Sequence, residues 1–417
     1  MEWWVYLLLD FGVQGTLNTL VHFSHFFSMK KYDFDEIIPR RGTDCEKYDH
    51  LESHFGNGNA IPMWVADGDF RVPDFITAAM RFRADHEIYA YSYRPDGYYN
   101  SIVKWQQQRH NWQIDREMIL PTQGVVSTLS SIIMANTEKG DEIIIQPPVY
   151  TPFFTCVKDC GRTVVENPLK LTGGRYRFDF EDLSRKIGPA TKLLILCNPH
   201  NPVGRVWTKE ELKQLGDICL VNNVLIISDE IHSDLIFSGF KHIPLPKVSD
   251  ELAANCVVCM APSKTFNIAG LSTSFVIIPD KKIRQRFDHF LHMLHLKNGN
   301  LFGNVALEAA YRHGMDWVNQ QNDYLEANRD YLLAFFAEKL PKIKMIFTEA
   351  TYLAWIDLRE YDMDEQEMNR LLIDGAGVVL NSGSIYGNEG VGYFRLNFAC
   401  PRQVLEEALI RIESVLG

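Results

Sequence analysis

Residues 255–271, NCVVCMAPSKTFNIAGL, join an apolar run to a polar, glycine-containing turn. The run 255–260 has the length and composition of a buried strand, and Lys264 follows it closely. An amine at a strand end can be held in a crevice partly closed to water. Loss of hydration disfavours the ammonium form and lowers its pKa, which makes the amine a usable nucleophile or base. A solvated loop lysine is the alternative, and the rest of the chain must decide between them.

Three other stretches place a polar or charged side chain after or within a short apolar run. They are residues 198–204 (NPHNPVG, after the apolar run 192–197), 224–232 (VLIISDEIH) and 392–398 (GYFRLNF). Short apolar strands that alternate with helical patterns predict a parallel sheet covered on both faces. Ligands of such sheets bind beyond the carboxyl ends of the strands. We therefore expect Asn201, Asp229 and Lys264 to lie near one another at that edge.

The pattern predicts an α/β fold with a large three-layer αβα domain, a mostly parallel sheet and a smaller α+β domain. The large domain spans 75–315, and the small domain takes 29–74 and 316–417. Predicted strands of the large domain are 142–146, 163–166, 192–197, 224–228, 256–260 and 274–278, and predicted helices after residue 72 are 73–82, 98–112, 124–136, 152–160, 180–187, 209–222, 283–296, 301–312, 316–339 and 403–415. Predicted strands of the small domain are 344–347, 353–357, 377–380 and 392–398.

Composition restricts the class of protein. Of the 417 residues, 46% are hydrophobic and 23% charged, which is typical of a globular chain. A net charge of −11 argues against a surface that coats nucleic acid. The eight cysteines are scattered, and Cys256 and Cys259 lack a second pair at zinc-ribbon spacing. We expect reduced, structural cysteines and no metal site.

Residues 1–28 are aromatic and apolar, but their longest apolar run, 3–9, is far shorter than the roughly 20 residues of a membrane-spanning helix. The segment also lacks the basic start and the small-residue cleavage site of a signal peptide, so we do not expect it to be one. Met29 resembles a second start. We interpret 1–28 as an extension outside the fold, and we expect a cytoplasmic protein without membrane contact.

The order of these motifs resembles the class I/II aminotransferase superfamily of pyridoxal-phosphate enzymes, from about Tyr32 to the C-terminus. Residues 62–70 (PMWVADGDF) and 229–232 (DEIH) are similar to its cystathionine β-lyase, or C–S lyase, branch. The resemblance implies fold type I, with pyridoxal 5′-phosphate covalently joined to Lys264. Lys264 would then also take the substrate Cα proton.

The same resemblance implies the other contacts to the cofactor ring. Asp229 would pair with the pyridine nitrogen, Asn201 with the phenolic oxygen, and Tyr150 would stack on the ring. The alternatives are a helix-capping Asp229, an Asx turn at Asn201 and a packed Tyr150. His232 stands where many aminotransferases have tyrosine, which fits the lyase branch; a structural histidine is the alternative.

The resemblance also implies a phosphate site on backbone N–H groups at a helix N-terminus, with a hydroxyl from Ser263. The backbone groups are those of Gly124, Val125 and Val126. Ser272 stands where related aminotransferases often have arginine. We expect Tyr91 of a second subunit to replace that anchor, with Tyr89 and Tyr93 as rivals, which predicts a homodimer with the active site at its interface.

Substrate contacts are expected from Arg395, Ala66 and Asp67. Arg395 would bind the α-carboxylate with two parallel hydrogen bonds, unless a structural Asp or Glu pairs with it. The backbone near Asp67 would close over the substrate, and Gly68 stands where the branch usually has methionine, which predicts a wider entrance.

The leading hypothesis is a C–S β-lyase that converts L-cystathionine or L-cysteine to a thiol (homocysteine or hydrogen sulfide), pyruvate and ammonia. An aminotransferase acting on amino acids is the second hypothesis. A non-catalytic regulatory protein on the same scaffold is the third, and the set Asn201, Asp229, Lys264 and Arg395 argues against it.

Overall fold

A seven-stranded sheet lies at the centre of the structure, a computed structural model that describes residues 30–417. The predicted extension 1–28 lies outside the described residues. The strands, in spatial order, are β2 (Ile119–Thr122), β10 (Ser274–Ile277), β9 (Cys256–Met260), β8 (Leu225–Asp229), β7 (Thr191–Cys197), β3 (Glu142–Ile145) and β4 (Thr163–Glu166). Only β10 runs antiparallel to its neighbours. The predicted mostly parallel sheet is confirmed.

Fourteen helices accompany the strands in the described part of the chain. They are α1 (Glu46–Asp49), α2 (Leu51–Phe55), α3 (Asp74–Ala84), α4 (Asp96–His110), α5 (Val125–Asn136), α6 (Pro152–Asp159), α7 (Phe180–Lys186), α8 (Lys209–Val221), α9 (Asp250–Ala253), α10 (Lys281–Met293), α11 (Leu301–His313), α12 (Met315–Lys339), α13 (Glu365–Arg370) and α14 (Arg402–Leu416). None of them is long and apolar enough to cross a membrane.

Alternate residues of the central strands enter two separate cores. Ile143 and Ile145 pack with α5, α6 and α10, whereas Ile144 packs with α4, α8 and α11. Because successive side chains of a strand point to opposite faces, an uninterrupted apolar strand needs cover on both. These apolar runs therefore produce the predicted three-layer arrangement.

Some predicted boundaries were wrong by a few residues, for local reasons. α10 begins at Lys281 rather than Ile283, because the side chain of Asp280 accepts a hydrogen bond from the N–H of Ile283. α4 ends at His110, because Asn111 adopts the left-handed conformation with φ 49°.

A second, antiparallel sheet has the order β11 (Lys344–Met345), β12 (Leu353–Asp357), β15 (Tyr393–Asn397) and β14 (Asn381–Ser382). The predicted strand 377–380 is shorter and belongs elsewhere: β13 (Val378–Val379) pairs in parallel with β1 (Ile61–Pro62). The strands β1, β2 and β14 and the hairpin of β5 (Lys170–Thr172) and β6 (Arg175–Arg177) were not predicted. Residues 32–417 form one compact unit, and the predicted domain boundaries stay a prediction.

Candidate active site

A cavity of about 240 Å³ opens beyond the carboxyl ends of β7, β8 and β9. Residues from several separate segments line it, including most of the predicted site: Ala66, Gly124, Val125, Val126, Tyr150, Asn201, Asp229, His232, Ser263 and Lys264. Asp67, Tyr91 and Arg395 are not part of the lining.

Lys264 lies four residues after β9, in a turn closed by a hydrogen bond from the Phe266 N–H to the Pro262 carbonyl. Its Nζ donates to the Ala66 carbonyl oxygen at 2.6 Å. Burial, and then the positive charge of Arg395, lower the pKa of Lys264 to about 8, against the opposite influence of Asp67 and Asp229. An amine with such a pKa is partly unprotonated near neutral pH and can act as a nucleophile or a base.

Asp229, the last residue of β8, is a buried carboxylate whose oxygen accepts a hydrogen bond from the Ile231 N–H at 3.2 Å. Burial raises the pKa of Asp229 to about 7. Within residues 30–417, no cationic side chain forms an ion pair with it. The hydrogen bond from Ile231 is local, so a cationic group that enters the cavity would meet a carboxyl group without an ion-pair partner.

Arg395 lies on β15, and its guanidinium is buried without a carboxylate partner in the described part of the chain. Nη2 donates to the Trp64 carbonyl at 2.6 Å and Nη1 to Asn201 Oδ1 at 3.3 Å, while Nε has no partner. The alternative of a structural Asp or Glu partner is therefore wrong. A buried, uncompensated cation is costly, so this arrangement suits an anionic ligand.

The N-terminus of α5 forms one wall of the cavity. Gly124 precedes the helix with φ 94° and ψ 144°, a conformation that L-residues with side chains rarely adopt. Its N–H donates to Ser274 Oγ at 2.8 Å, which anchors the start of the helix to β10. Of the three backbone N–H groups predicted to bind phosphate, that of Gly124 is therefore already engaged. The first N–H groups of a helix have no intrahelical partner, so this wall can receive an anion.

Two aromatic side chains complete the lining. Burial raises the pKa of Tyr150 to about 12, so its hydroxyl stays protonated. His232 is buried with Nδ1 unpartnered, and burial lowers the pKa of His232 to about 3, which keeps it neutral. The alternative of a structural histidine predicts that the ring nitrogens of His232 are hydrogen-bonded, but Nδ1 has no partner among the described residues.

The backbone at Ala66 faces Lys264, but the Asp67 side chain is occupied elsewhere. Asp67 forms ion pairs with Arg40 at 2.8 Å and Lys47 at 3.5 Å, so its carboxylate is engaged away from the cavity, and the predicted substrate contact of its backbone stays a prediction. Its carbonyl accepts a hydrogen bond from Asn397 Nδ2 at 2.7 Å.

Sequence reasoning missed Asn397 and Tyr352, which hold this backbone segment. The Tyr352 hydroxyl donates to the Ala66 carbonyl at 3.0 Å, and Asn397 Nδ2 donates to the Val65 carbonyl at 2.6 Å. The two-residue period of strands offered a signal for Asn397, because it lies on the same face of β15 as Arg395.

The aromatic loop before α4 does not reach the cavity of its own chain. Tyr91 is 100% exposed and Tyr93 83%, whereas the Tyr89 hydroxyl donates to the Ala84 carbonyl at 2.8 Å. Ser272, which lines the cavity, is exposed with φ 44°.

One group of side chains in residues 30–417 has the composition of a metal site. Glu46, His50 and His54 place their ligand atoms within 4.8 Å of one another. All three are exposed, and none lines the cavity. The eight cysteines are unbridged.

Comparisons with known proteins agree with this geometry. Residues 64–412 match the family "Aminotransferase class I and II". The cystathionine β-lyase PatB of Bacillus subtilis is 43% identical over 92% of this chain and 100% of its own length. The protein MalY of Escherichia coli is 30% identical over 91% of this chain and 97% of its own.

Two solved structures share the fold closely. Cystalysin of Treponema denticola, which contains pyridoxal 5′-phosphate, has a TM-score of 0.90 at 35% identity and covers 93% of this chain and 99% of its own. A PLP-bound putative aminotransferase of Clostridium difficile has a TM-score of 0.91 at 45% identity and covers 93% and 100%. The chain therefore belongs to the class I and II aminotransferase family of pyridoxal-phosphate enzymes, in its cystathionine β-lyase, or C–S lyase, branch.

Proposed function

We propose that the protein cleaves the Cβ–S bond of L-cystathionine, L-cysteine or both by α,β-elimination, with pyridoxal 5′-phosphate as cofactor. The observation that carries this proposal is an amine of lowered pKa and a carboxyl group without an ion-pair partner, within residues 30–417, in the lining of one cavity. Beside that lining, 3.3 Å from Asn201 Oδ1, lies a guanidinium without a carboxylate partner in the same residues. These groups are Lys264, Asp229 and Arg395.

The residues present fit this cofactor. Asp229 would hold the protonated pyridine nitrogen, and the unpaired state of its buried carboxylate supports that role. The N-terminal turn of α5 and the Ser263 hydroxyl would hold the phosphate. Asn201 would hold the phenolic oxygen, and Tyr150 and His232 would flank the ring. When bound, the cofactor supplies an electron sink that acidifies the Cα proton of an amino-acid substrate.

The chain's own groups bind the substrate and move the protons. Arg395 would bind the α-carboxylate, for which its Nε and Nη groups offer a planar fork. Lys264 would take the Cα proton with its neutral amine. The Cβ–S electron pair then leaves with sulfur, which accepts a proton from the lysine ammonium, and the remaining 2-aminoacrylate takes up water to form pyruvate and ammonia.

A second candidate function is amino transfer, because the Clostridium difficile neighbour at 45% identity is described as a putative aminotransferase. In that reaction Lys264 would again take the Cα proton, but it would not deliver a proton to a leaving sulfur. Amino transfer requires a keto-acid acceptor, whereas elimination does not.

The test is incubation of purified, cofactor-saturated protein with L-cystathionine and with L-cysteine, without any added keto acid. We expect pyruvate together with homocysteine or sulfide, measured by a lactate-dehydrogenase assay and a thiol assay. Pyruvate that forms only when a keto acid is present would favour transfer. Borohydride reduction followed by peptide mass spectrometry should place the cofactor on Lys264, and Lys264→Ala should lose both the adduct and turnover.

The proposed active form is a homodimer in which Tyr91 of one subunit approaches the phosphate in the other. The full exposure of Tyr91 in a single chain supports this arrangement. The cavity lining supports it as well. Among the described residues, the lining contains one lysine, Lys264, and no arginine that could bind the phosphate.

A further inference from the structure

The buried side chain of Asp234 takes part in several hydrogen bonds, one of them with Thr265, the residue next to Lys264. Its carboxylate accepts hydrogen bonds from Trp105 Nε1 at 3.1 Å, Thr265 Oγ1 at 3.0 Å and, in the tautomer with a proton there, His110 Nε2 at 3.1 Å. Asp234 is 3% exposed, and it does not line the cavity. The proposed mechanism makes no use of it.

The main chain of Asp234 is held as firmly as its side chain. Its carbonyl accepts hydrogen bonds from Arg109 Nη2 at 2.9 Å and Asn322 Nδ2 at 2.8 Å. Arg109 belongs to α4 and Asn322 to α12, so two long helices fix this residue. Asp234 is therefore a rigid point in the protein, five residues after Asp229.

Thr265 links this rigid point to the reactive amine. It follows Lys264 directly, it is fully buried, and its hydroxyl donates a hydrogen bond to Asp234 Oδ2. Lys264 and Thr265 both lie within the turn that the Phe266 N–H closes on Pro262. The hydrogen bond from the Thr265 hydroxyl to Asp234 therefore restrains the stretch of backbone that carries Lys264.

The charge of Asp234 suits this role. Burial alone raises the pKa of Asp234, but the hydrogen bonds from His110 and Thr265 and the charge of Arg109 hold that pKa below its ordinary value. An ionised acceptor makes stronger hydrogen bonds than a neutral one, so the link to Thr265 is well anchored.

We propose that Asp234 is a positioning residue of the reaction, which holds the Lys264 amine in place relative to Asp229 through the Thr265 hydroxyl. The inference rests on the proposed function, because it concerns the amine that is assigned the proton transfers. A displacement of about 1 Å at a reacting group can lower a rate by about 100-fold, so a positioning contact of this kind has a measurable effect.

The experiment compares Thr265→Val with wild-type holoenzyme. Valine keeps the shape of the side chain and removes the hydroxyl, while the charges that act on Lys264, those of Arg395, Asp67 and Asp229, stay in place. We expect kcat to fall about 10- to 100-fold with little change in KM. We also expect a shift in the pH at which the absorbance spectrum of the bound cofactor changes, and recovery of both properties in Thr265→Ser.

Thr137→Val is the control, because it removes another buried hydroxyl, at the far end of α5 from the cavity. That hydroxyl donates to the Ile133 carbonyl and accepts from Arg162 Nε at 2.8 Å, so its loss tests the general effect of removing a buried hydroxyl. If Asp234→Asn folds, it should reproduce the effect of Thr265→Val. If Asp234→Asn does not fold, Thr265→Val alone tests the proposal. The proposal is overturned if Thr265→Val matches wild type in kcat and spectrum, or if both valine variants change equally. Absence of a cofactor adduct on Lys264 in the wild type would instead overturn the proposed function.

Discussion

Two buried ionisable residues without an ion-pair partner in residues 30–417 carry the proposed chemistry: Asp229 lines the cavity, and Arg395 contacts the lining residue Asn201. Arg395 and Asp229 are both buried, and neither has an oppositely charged partner in the described part of the chain. Folding must bear the cost of their desolvation, and a bound ligand can return part of it. Residues of this kind are expected where binding outweighs stability in importance.

Arg395→Lys should weaken substrate binding. Lysine keeps the charge but loses the planar fork that binds a carboxylate with two hydrogen bonds. We expect KM for L-cystathionine to rise about 10- to 100-fold, which corresponds to about 1.4–2.8 kcal/mol, with a smaller change in kcat. Steady-state kinetics measures both. Arg359→Lys, at an exposed ion pair with Asp357, is the control, and an unchanged KM in Arg395→Lys would exclude the carboxylate contact.

Asp229→Asn should change how stability depends on pH in the cofactor-free protein. The pKa of Asp229 is about 7 in the folded state, above its ordinary value of 3.8, so between these two pH values the folded state retains a proton that the unfolded state has released. The resulting stability is complete below about pH 4 and is lost as pH rises through 7. Asparagine cannot ionise, so the variant should gain on the wild type by up to about 4 kcal/mol between pH 4 and 8.

Urea unfolding of both proteins at several pH values measures this difference in unfolding free energy. Other titrating groups, such as His232, are present in both proteins, so their contributions largely cancel. Asp323→Asn, at an exposed position, is the control. A difference between Asp229→Asn and wild type that does not vary with pH would show that the Asp229 carboxyl is already ionised in the empty site.

At the scale of elements, the active site is made by the ends of strands and the start of one helix. β8 ends in Asp229, β9 leads to Lys264, and α5 begins after Gly124. The backbone of Gly124 is the point at which helix geometry is adapted to the cavity, because only glycine tolerates its conformation easily.

Gly124→Ala should lower both stability and cofactor affinity. A side chain at φ 94° and ψ 144° strains the backbone by about 1–3 kcal/mol, and relaxation would move the first turn of α5. We expect about tenfold weaker binding of pyridoxal 5′-phosphate, measured by titration of the cofactor-free protein.

Gly140→Ala is the matched control, because Gly140 has φ 89° and lies in a turn with nothing within 4 Å of an added Cβ. It should lose stability without losing cofactor affinity. Equal loss of affinity in both variants would mean that the N-terminus of α5 does not hold the phosphate.

At the scale of the whole molecule, the proposed dimer supplies what one chain lacks. A phosphate carries up to two negative charges, and the described lining offers it hydroxyls and N–H groups but no arginine. The exposed loop with Tyr89, Tyr91 and Tyr93 lies before α4, and its fully exposed hydroxyl at Tyr91 is available to a second subunit.

Tyr91→Phe should weaken cofactor binding without unfolding the protein. A hydrogen bond to a charged group contributes about 1.5–3 kcal/mol, so we expect the dissociation constant of pyridoxal 5′-phosphate to rise about 10- to 100-fold. Tyr89→Phe is the control, because the Tyr89 hydroxyl already donates to Ala84 of its own chain. Sedimentation should show a dimer, and full cofactor affinity in a monomeric wild type would contradict the arrangement.

The sequence by itself determined six of the seven strands of the central sheet and the places of three proposed site residues. The apolar runs of β7, β8 and β9 have a short-range pattern that requires burial on both faces, and Asn201, Asp229 and Lys264 follow those runs within a few residues. Strand, turn and polar side chain are adjacent in the chain, so a local reading could locate them.

Only the tertiary structure decided which charges are neutralised. Asp67 pairs with Arg40 and Lys47. Arg395 donates a hydrogen bond to the Trp64 carbonyl, 331 residues away in the sequence, and Asp234 accepts one from the hydroxyl of Thr265. The pairing of β13 with β1 is another contact between distant segments. Such contacts depend on how separate elements pack. A buried charged or polar group needs a partner, and the fold can supply that partner from any distant segment, so these contacts leave no periodic pattern in the sequence.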